Sequence, residues 1–438
     1  MFDSSSPTVT LAEIRQMTGG LSSAEVGLDD RARIDMLRAL EELRCAAAGA
    51  QAAIAADFDA SQRETQRAAG VRRDDLGRGV ASQIGLARRT SPHRAQQLLG
   101  LAKVLRTELP CTRRALRAGK MTEKAAMSVA QETACLSLEN RMAVDEQVAG
   151  DLDAVESMSE RQIASAARAK GIALDSAAIA ERRRRAEWDR HVSLRPMPDV
   201  MAELRAMLPV KDGVAVWAVL SREADRARSA GDPRSRQQIM ADTLRDRVLH
   251  PGPGAAAEVP LMVNVIVPDS VLLGDDDGVG WVQDYGPVPG DLLRQWIAHN
   301  AEHDVDQWVR RLYAAPATGE LVTMDSKARR FNGKLAEFLR LRDQTCRTKY
   351  CDSRIRHLDH ARRKADGGLT SAVNGQGLCE CCNQAKEAYG WSARPRPGPR
   401  STIETVTPTG HRYTSSPPVW SIQERGLAYA IDSWTLTA

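Results

Sequence analysis

The 438-residue chain has no apolar run able to cross a bilayer; its best, Leu261 to Val267, is far short of the roughly 20 residues a spanning helix needs. Met1 to Ile14 also lacks the basic start and following apolar stretch of an export signal. The expectation is a cytoplasmic protein with no membrane partner. Aromatics are scarce, 18 residues in all, which weighs against an extensive base-stacking platform. Lysine is scarcer still, 10 against 51 arginines. Arg and Ala enrichment of this kind also follows from a GC-rich genome, so only a local excess of charge speaks for a polyanionic partner. No Walker-type phosphate loop, dinucleotide fingerprint or internal repeat is present.

At this length two or three folded units are expected. From Asp29 to about His250 the chain is rich in Ala, Leu, Glu, Gln and Arg and reads as helical. Ser91-Pro92 opens one helix, whose apolar face (Ala95, Leu98, Leu99, Ala102, Leu105) runs until Pro110, and another starts at Thr122 after Gly119. That pair fits either a helix-turn-helix or ordinary bundle packing. Arg182 to Arg185 fits a phosphate contact or a solvated helix face. Pro251 to Pro260 reads as a linker, Leu261 to Val267 as a short buried strand, Asp291 to Glu302 as a helix, Glu320 to Arg330 as a hairpin and Asn332 to Arg342 as a helix. Ser392 to Pro418, crowded with Pro, Gly, Ser and Thr, is expected to be irregular. The boundaries that follow are a flexible N-terminus at 1–25, a mainly helical domain at 26–310, a connector at 311–334, a compact module at 335–392 and a tail at 393–438.

Five of the eight cysteines, Cys346, Cys351, Cys379, Cys381 and Cys382, fall within 37 residues. Cys346 and Cys351 flank four residues and Cys379 and Cys382 flank two, so each pair makes a knuckle able to give two sulfurs to one tetrahedral Zn²⁺. Cys381 is assigned as a non-ligand, because pairing it with Cys379 leaves a single residue between ligands. Between Arg340 and Lys364 nine basic residues face three acidic ones, the strongest local excess noted. The loop between the knuckles holds Asp359-His360, Gly367-Gly368 and Asn374, with Asn383 and Lys386 just beyond. A carboxylate for a divalent cation and an imidazole as base are what hydrolysis of a phosphodiester needs. Neighbouring side chains on a regular strand point to opposite faces, so a strand end or bulge is expected at Asp359-His360. A competing pattern, His299-Asn300-Ala301-Glu302-His303, has the order of some zinc peptidases.

Leu358-Asp359-His360, Gly367-Gly368-Leu369-Thr370, Asn374 and Leu378-Cys379 through Cys382-Asn383 to Lys386 resemble the HNH endonuclease family over about fifty residues. Gly231-Asp232-Pro233-Arg234, Tyr285 to Pro289, Pro316 to Gly319 and Pro408 to His411 resemble the bacterial HNH proteins with an N-terminal domain of unknown function 222. The resemblance implies a mainly α protein, a large N-terminal helical domain with a few short strands followed by a small zinc-stapled ββα-metal module that hydrolyses DNA. It further implies His360 as general base, Asn374 orienting it, and Asp359 and Asn383 holding Mg²⁺ or another divalent ion. The last of these positions is often His in that family; an amide oxygen there is a hard ligand compatible with Mg²⁺. The alternative is a zinc-containing DNA-binding module without cleavage. Arg354, Arg356, Arg362, Arg363 and Lys386 are the candidate phosphate contacts. DNA is the expected partner, and targeting, autoinhibition or homodimerisation are the roles open to the helical half.

Overall fold

A computed structural model describes residues 9–22, 28–249, 265–268, 271, 278–282, 285–302, 308–313, 331, 333–419 and 432–437. The expected linker at Pro251 to Pro260, the hairpin at Glu320 to Arg330 and His303 of the peptidase-like pattern lie outside these residues. Internal contacts divide the chain into two units, one of residues 1–54 and 101–176 and one of residues 55–100 and 177–438.

The helices of the first unit begin where their caps dictate. Helix α1 (Leu11–Leu21) forms where a flexible stretch is expected, because Thr10 and Glu13 close a reciprocal capping box that satisfies two otherwise unpaired amides. Helix α2 (Asp30–Ala68) follows, its residues divided between the units; then come α3 (Val80–Arg88) and α4 (Pro92–Thr107). Helices α5 (Pro110–Arg117), α6 (Glu123–Glu132), α7 (Leu138–Ala149), α8 (Leu152–Glu156) and α9 (Glu160–Leu174) pack through Ala115, Leu116, Ala125, Ala126, Val129, Val144, Ala149, Val155, Ile163 and Ala167, all almost without exposure. Asp145 reaches from α7 to the start of α5, where its carboxylate accepts from the Cys111 and Thr112 amides at 2.6 and 2.9 Å. Helix α6 exposes only Lys124 and Gln131, so the helix-turn-helix reading gives way to bundle packing.

The second unit continues with α10 (Ser176–Ala186) and the hairpin β1 (His191–Met197) and β2 (Met201–Met207), an interruption of the expected helical run. Alternation over Val192-Ser193-Leu194-Arg195 and a turn through Asp199 and Val200, both at positive φ, account for it. Helices α11 (Val210–Ser229) and α12 (Arg236–Leu249) pair next. A five-stranded sheet is ordered β5 (Gly286–Pro289), β4 (Val279–Val282), β3 (Val265–Pro268), β12 (Asp432–Thr437), β6 (Trp308–Tyr313), with α13 (Gly290–Glu302) following β5. Ile266 of β3 packs with Leu335, Phe338, Leu339 and Leu341 of α14 (Gly333–Asp343).

After α14 come the hairpin β7 (His357–His360) and β8 (Gly375–Leu378), then α15 (Glu380–Lys386). The stretch expected to be irregular forms a three-stranded antiparallel meander, β9 (Ser392–Arg396), β10 (Thr402–Val406) and β11 (Arg412–Ser415). Thr402, Ile403, Thr405 and Val406 favour a pleated strand, and the prolines fall on an edge or in the connections. Helix α3 reaches this region: Leu86 clusters with Ala388 and Trp391, Arg78 Nε donates to the Gln384 carbonyl at 3.1 Å, and Gln83 accepts from Thr409 at 3.2 Å. Gly79, at φ +81°, lies against Trp391, where an added Cβ would come within 2.5 Å of Nε1.

Candidate functional site

The cysteine centre is built from two local turns. Residues 346 to 351 curl so that the Cys351 amide donates to the Thr348 carbonyl at 3.0 Å, and Tyr350 takes a positive φ. Cys379 caps α15, its sulfur accepting from the Cys382 amide at 3.4 Å. Cys346, Cys351, Cys379 and Cys382 are all buried, and their sulfurs lie within 4.8 Å of one another. Cys351 and Cys379 sulfurs are 3.7 Å apart, close to the about 3.8 Å edge of a tetrahedron with 2.3 Å metal–sulfur bonds. The four can therefore hold a metal ion such as zinc. Cys381 lies outside the group, and burial raises its thiol pKa. Within the group, hydrogen bonds from Cys346 and the other thiols pull Cys379 far down and Cys351 down, while the bond to Cys351 pushes Cys346 up and that to Cys346 pushes Cys382 up. Four thiolates packed this closely need a cation to share the charge.

Hairpin β7–β8 pairs His357 with Leu378, Leu358 with Gly377, Asp359 with Gln376 and His360 with Gly375. His360 is thus the strand's last residue, the strand end expected there. Its ring is buried, Nε2 sits 2.9 Å from Thr370 Oγ1, and the Phe331 ring centroid is 4.6 Å away. Burial lowers its pKa, against the pull of Asp359 and with that of Lys364 and Lys386, so the imidazole is neutral at ordinary pH. Thr370 and Phe331 were no part of the expected site. Thr370 follows the two glycines directly, and that closeness in sequence was the signal for it.

Asn374 is buried, and its hydrogen bonds run to backbone and Ser371 rather than to the His360 ring. Its Oδ1 accepts from the Arg362 amide at 2.8 Å, its Nδ2 donates to the Arg362 and Leu369 carbonyls at 3.0 and 2.8 Å, and its carbonyl accepts from the Ala361 amide at 2.7 Å. It acts through the backbone that immediately follows His360, as a clamp on loop 361–374. Gly368 makes room for the clamp, since a Cβ there would meet the Arg362 carbonyl at 1.9 Å and Asn374 Nδ2 at 2.7 Å.

Lys386 departs from the phosphate contact expected of it. It is buried, its ammonium donates to the His360 carbonyl at 2.7 Å, and it forms ion pairs with Asp359 and, at 3.1 Å, Glu387. Three N–H groups facing three oxygens leave no donor for a ligand. Arg363 is half-buried and paired with Glu387 at 3.2 Å, whereas Arg354, Arg356 and Arg362 are exposed. Two arginines of the local excess also turn inward. Arg342 donates to Asp343 at 2.7 Å and to the Gly375 carbonyl at 2.8 Å; Arg347 donates to Asp343 at 2.9 Å and to the Ser401 and Ser415 carbonyls. Seven of the nine basic residues counted from the sequence remain outside this buried triad.

Asn383 Oδ1 is buried with no hydrogen-bond partner, whereas Asp359 Oδ2, also buried, is met by the Lys386 ammonium. Buried acceptors normally find a donor, so Asn383 Oδ1 is the unsatisfied hard oxygen of this region, and the Asp359 carboxylate is already ion-paired. His299 and Asn300 lie on α13, but their side chains are outside the described residues, as is His303.

A family model whose description is "Domain of unknown function (DUF222)" matches residues 37–343, a stretch that ends before Cys346. No curated protein and no solved structure matches the chain.

Proposed function

Because the chain belongs to the DUF222 family, whose description assigns no activity, we propose a function from the C-terminal site itself: a metal-dependent endonuclease of the HNH type acting on DNA. This reading takes β7, β8 and α15 as a ββα-metal finger and the four cysteines as the ligands of a structural zinc. The observation that carries it is the buried Asn383 Oδ1 without a hydrogen-bond partner on α15, the helix whose Lys386 also binds the Asp359 carboxylate and the His360 carbonyl of β7.

His360, neutral because it is buried, is the base that takes a proton from the attacking water. Thr370 holds the ring through Nε2, and Asn374 fixes the chain on its far side. Asp359 and Asn383 would hold the divalent ion, which supplies charge neutralisation at the phosphate and at the departing oxygen. Lys386 ties the His360 carbonyl to the Asp359 carboxylate and so keeps base and ligand in one frame. Arg354, Arg356 and Arg362, all exposed, are the arginines that would meet backbone phosphates.

Full-length protein with Mg²⁺ or Mn²⁺ should nick supercoiled plasmid, and His360→Ala should slow nicking by about 10² or more, the usual worth of a general base. Absence of nicking, or a variant as fast as the wild type, refutes the reading. A zinc-containing DNA-binding module without cleavage is the second reading, favoured by the Lys386 ammonium already neutralising Asp359. Salt-sensitive DNA binding with no metal-dependent product would select it.

A further inference from the structure

The three-stranded sheet after Trp391 has two unlike faces. Side chains alternate along each strand, and the register places Glu404 between Arg394 and Thr414, Thr402 beside Arg396, and Val406 between Ser392 and Arg412. Ile403, Thr405 and Ala393 therefore take the inner face; Ile403 is 1% exposed, and Ala393 and Thr405 line a cavity of about 20 Å³ with Trp391, Cys382 and Lys386. The outer face carries Arg394, Arg396 and Arg412, whose side chains are 64%, 56% and 61% exposed.

One carboxylate organises all three. Glu404, 5% exposed in its side chain, receives Arg394 at 2.8 Å and Arg412 at 3.3 Å on Oε2 and Arg396 at 3.9 Å on Oε1. Each guanidinium has five donors and spends one or two here, so most of them point elsewhere. Three positive charges around one negative leave the face at +2, and between Ser392 and Val419 Glu404 is the sole acidic residue. Arginines pre-oriented by a buried acid lose less side-chain freedom on meeting an anion than free ones do.

We infer that this outer face is a docking surface for the phosphate backbone of duplex DNA, extending the footprint of the site on β7 and α15. The choice of occupant rests on charge complementarity and on continuity, since the sheet begins six residues after Lys386 and its inner face shares a cavity with that residue. It rests on the reading of DNA as substrate given above.

The test measures binding of full-length protein, without added Mg²⁺, to a labelled DNA duplex by fluorescence anisotropy across a salt series. The triple variant Arg394→Gln, Arg396→Gln, Arg412→Gln should bind at least about tenfold more weakly, and its slope of log K against log salt should shrink by about 2. Glu404→Gln, which uncovers one more positive charge, should bind several-fold tighter; a merely structural ion-pair cluster predicts no such gain. If the triple variant loses its zinc or its fold, Arg396→Gln alone, at the most loosely tied of the three, should shrink the slope by about 1. Unchanged affinity and slope in the variant that folds overturns the inference, as does a wild type that does not bind the duplex. The cleavage reading is judged separately: nicking by a variant that binds normally removes only the docking face, and weakened binding without any nicking by wild type removes only the nuclease.

Discussion

The helices from α5 to α9 and the segment from Gly333 to Val419 keep their shape by opposite means. In the former the interior is Ala, Val and Leu from neighbouring helix faces, and the buried exceptions, such as Asp145, Thr112 and Arg141, serve caps and turns. In the latter Arg342, Asp343, Arg347, His360, Thr370, Asn374, Gln376, Lys386 and Glu404 are buried beside four clustered cysteines. Charge divides the chain in the same place: residues 333–419 hold fifteen Lys and Arg against eight Asp and Glu, a net +7, so the rest of the chain, at +4 overall, carries −3. An apolar interior is degenerate and forgiving, because many side chains share one non-directional force. A polar interior is directional, and each member holds a particular neighbour in place.

Removing the metal should separate the two regions most sharply. A structural zinc is worth about 10 to 16 kcal/mol to the fold around it, more than a polar interior of this size can replace. Strong chelation, or Cys379→Ser, should release zinc to a colorimetric indicator and open residues 333–419 to protease, while residues 110–174 stay resistant. Equal protease sensitivity in both stretches would erase the distinction, and undiminished zinc in Cys379→Ser would move the centre elsewhere.

Single substitutions of matched cost come next. Leu116→Ala, in the helical core, should cost about 3 kcal/mol and leave plasmid nicking at its wild-type rate. Arg342→Met should cost a similar amount, about 3 kcal/mol, by stripping a partner from buried Asp343. It also frees the Ala372 and Gly375 carbonyls that flank Asn374, so nicking should fall with stability. Differential scanning and the nicking assay together read both effects. Two variants alike in both readouts would mean that the polar interior is no more tightly bound to the site than the apolar one.

The same contrast explains what could be read from the sequence. Knuckle spacing is a local property, so Cys346, Cys351, Cys379 and Cys382 were legible without any fold, as were the helix starts at Pro92 and Thr122 and the strand end at His360. Burial of a charge is a tertiary property. Arg342, Arg347 and Lys386 look in sequence like the exposed arginines beside them, and only the carbonyls of residues 372, 375, 401, 415 and 360 tell them apart. The meander at 392–415 was hidden by its prolines, which mark breaks in sequence but here occupy an edge strand and the turns. The support that α3 gives Trp391 could not be read at all, because its partners are about 300 residues apart.

Acidification gives the smallest and most local separation. Burial holds the His360 pKa below 6.5, so above that value the imidazole is neutral in folded and unfolded chains alike and contributes no pH dependence. Below 6.5 the unfolded chain takes up the proton first, and stability of the C-terminal segment declines as pH falls. The general base requires the same neutral ring, so the nicking rate should be level above pH 6.5 and fall beneath it, with a midpoint lower than that of a free histidine. Asp145 in the helical core has the opposite sign: burial raises its pKa despite the Thr112 and Cys111 hydrogen bonds, so the folded state there binds its proton more readily than the unfolded chain and is not weakened by mild acid. Nicking rate, zinc content and protease resistance of residues 110–174, followed together from about pH 7.5 to about pH 5.5, check this. A rate that falls while zinc and helical resistance hold places the titration at His360; a rate that falls only with zinc places it at the cysteines, and the base is then some other group.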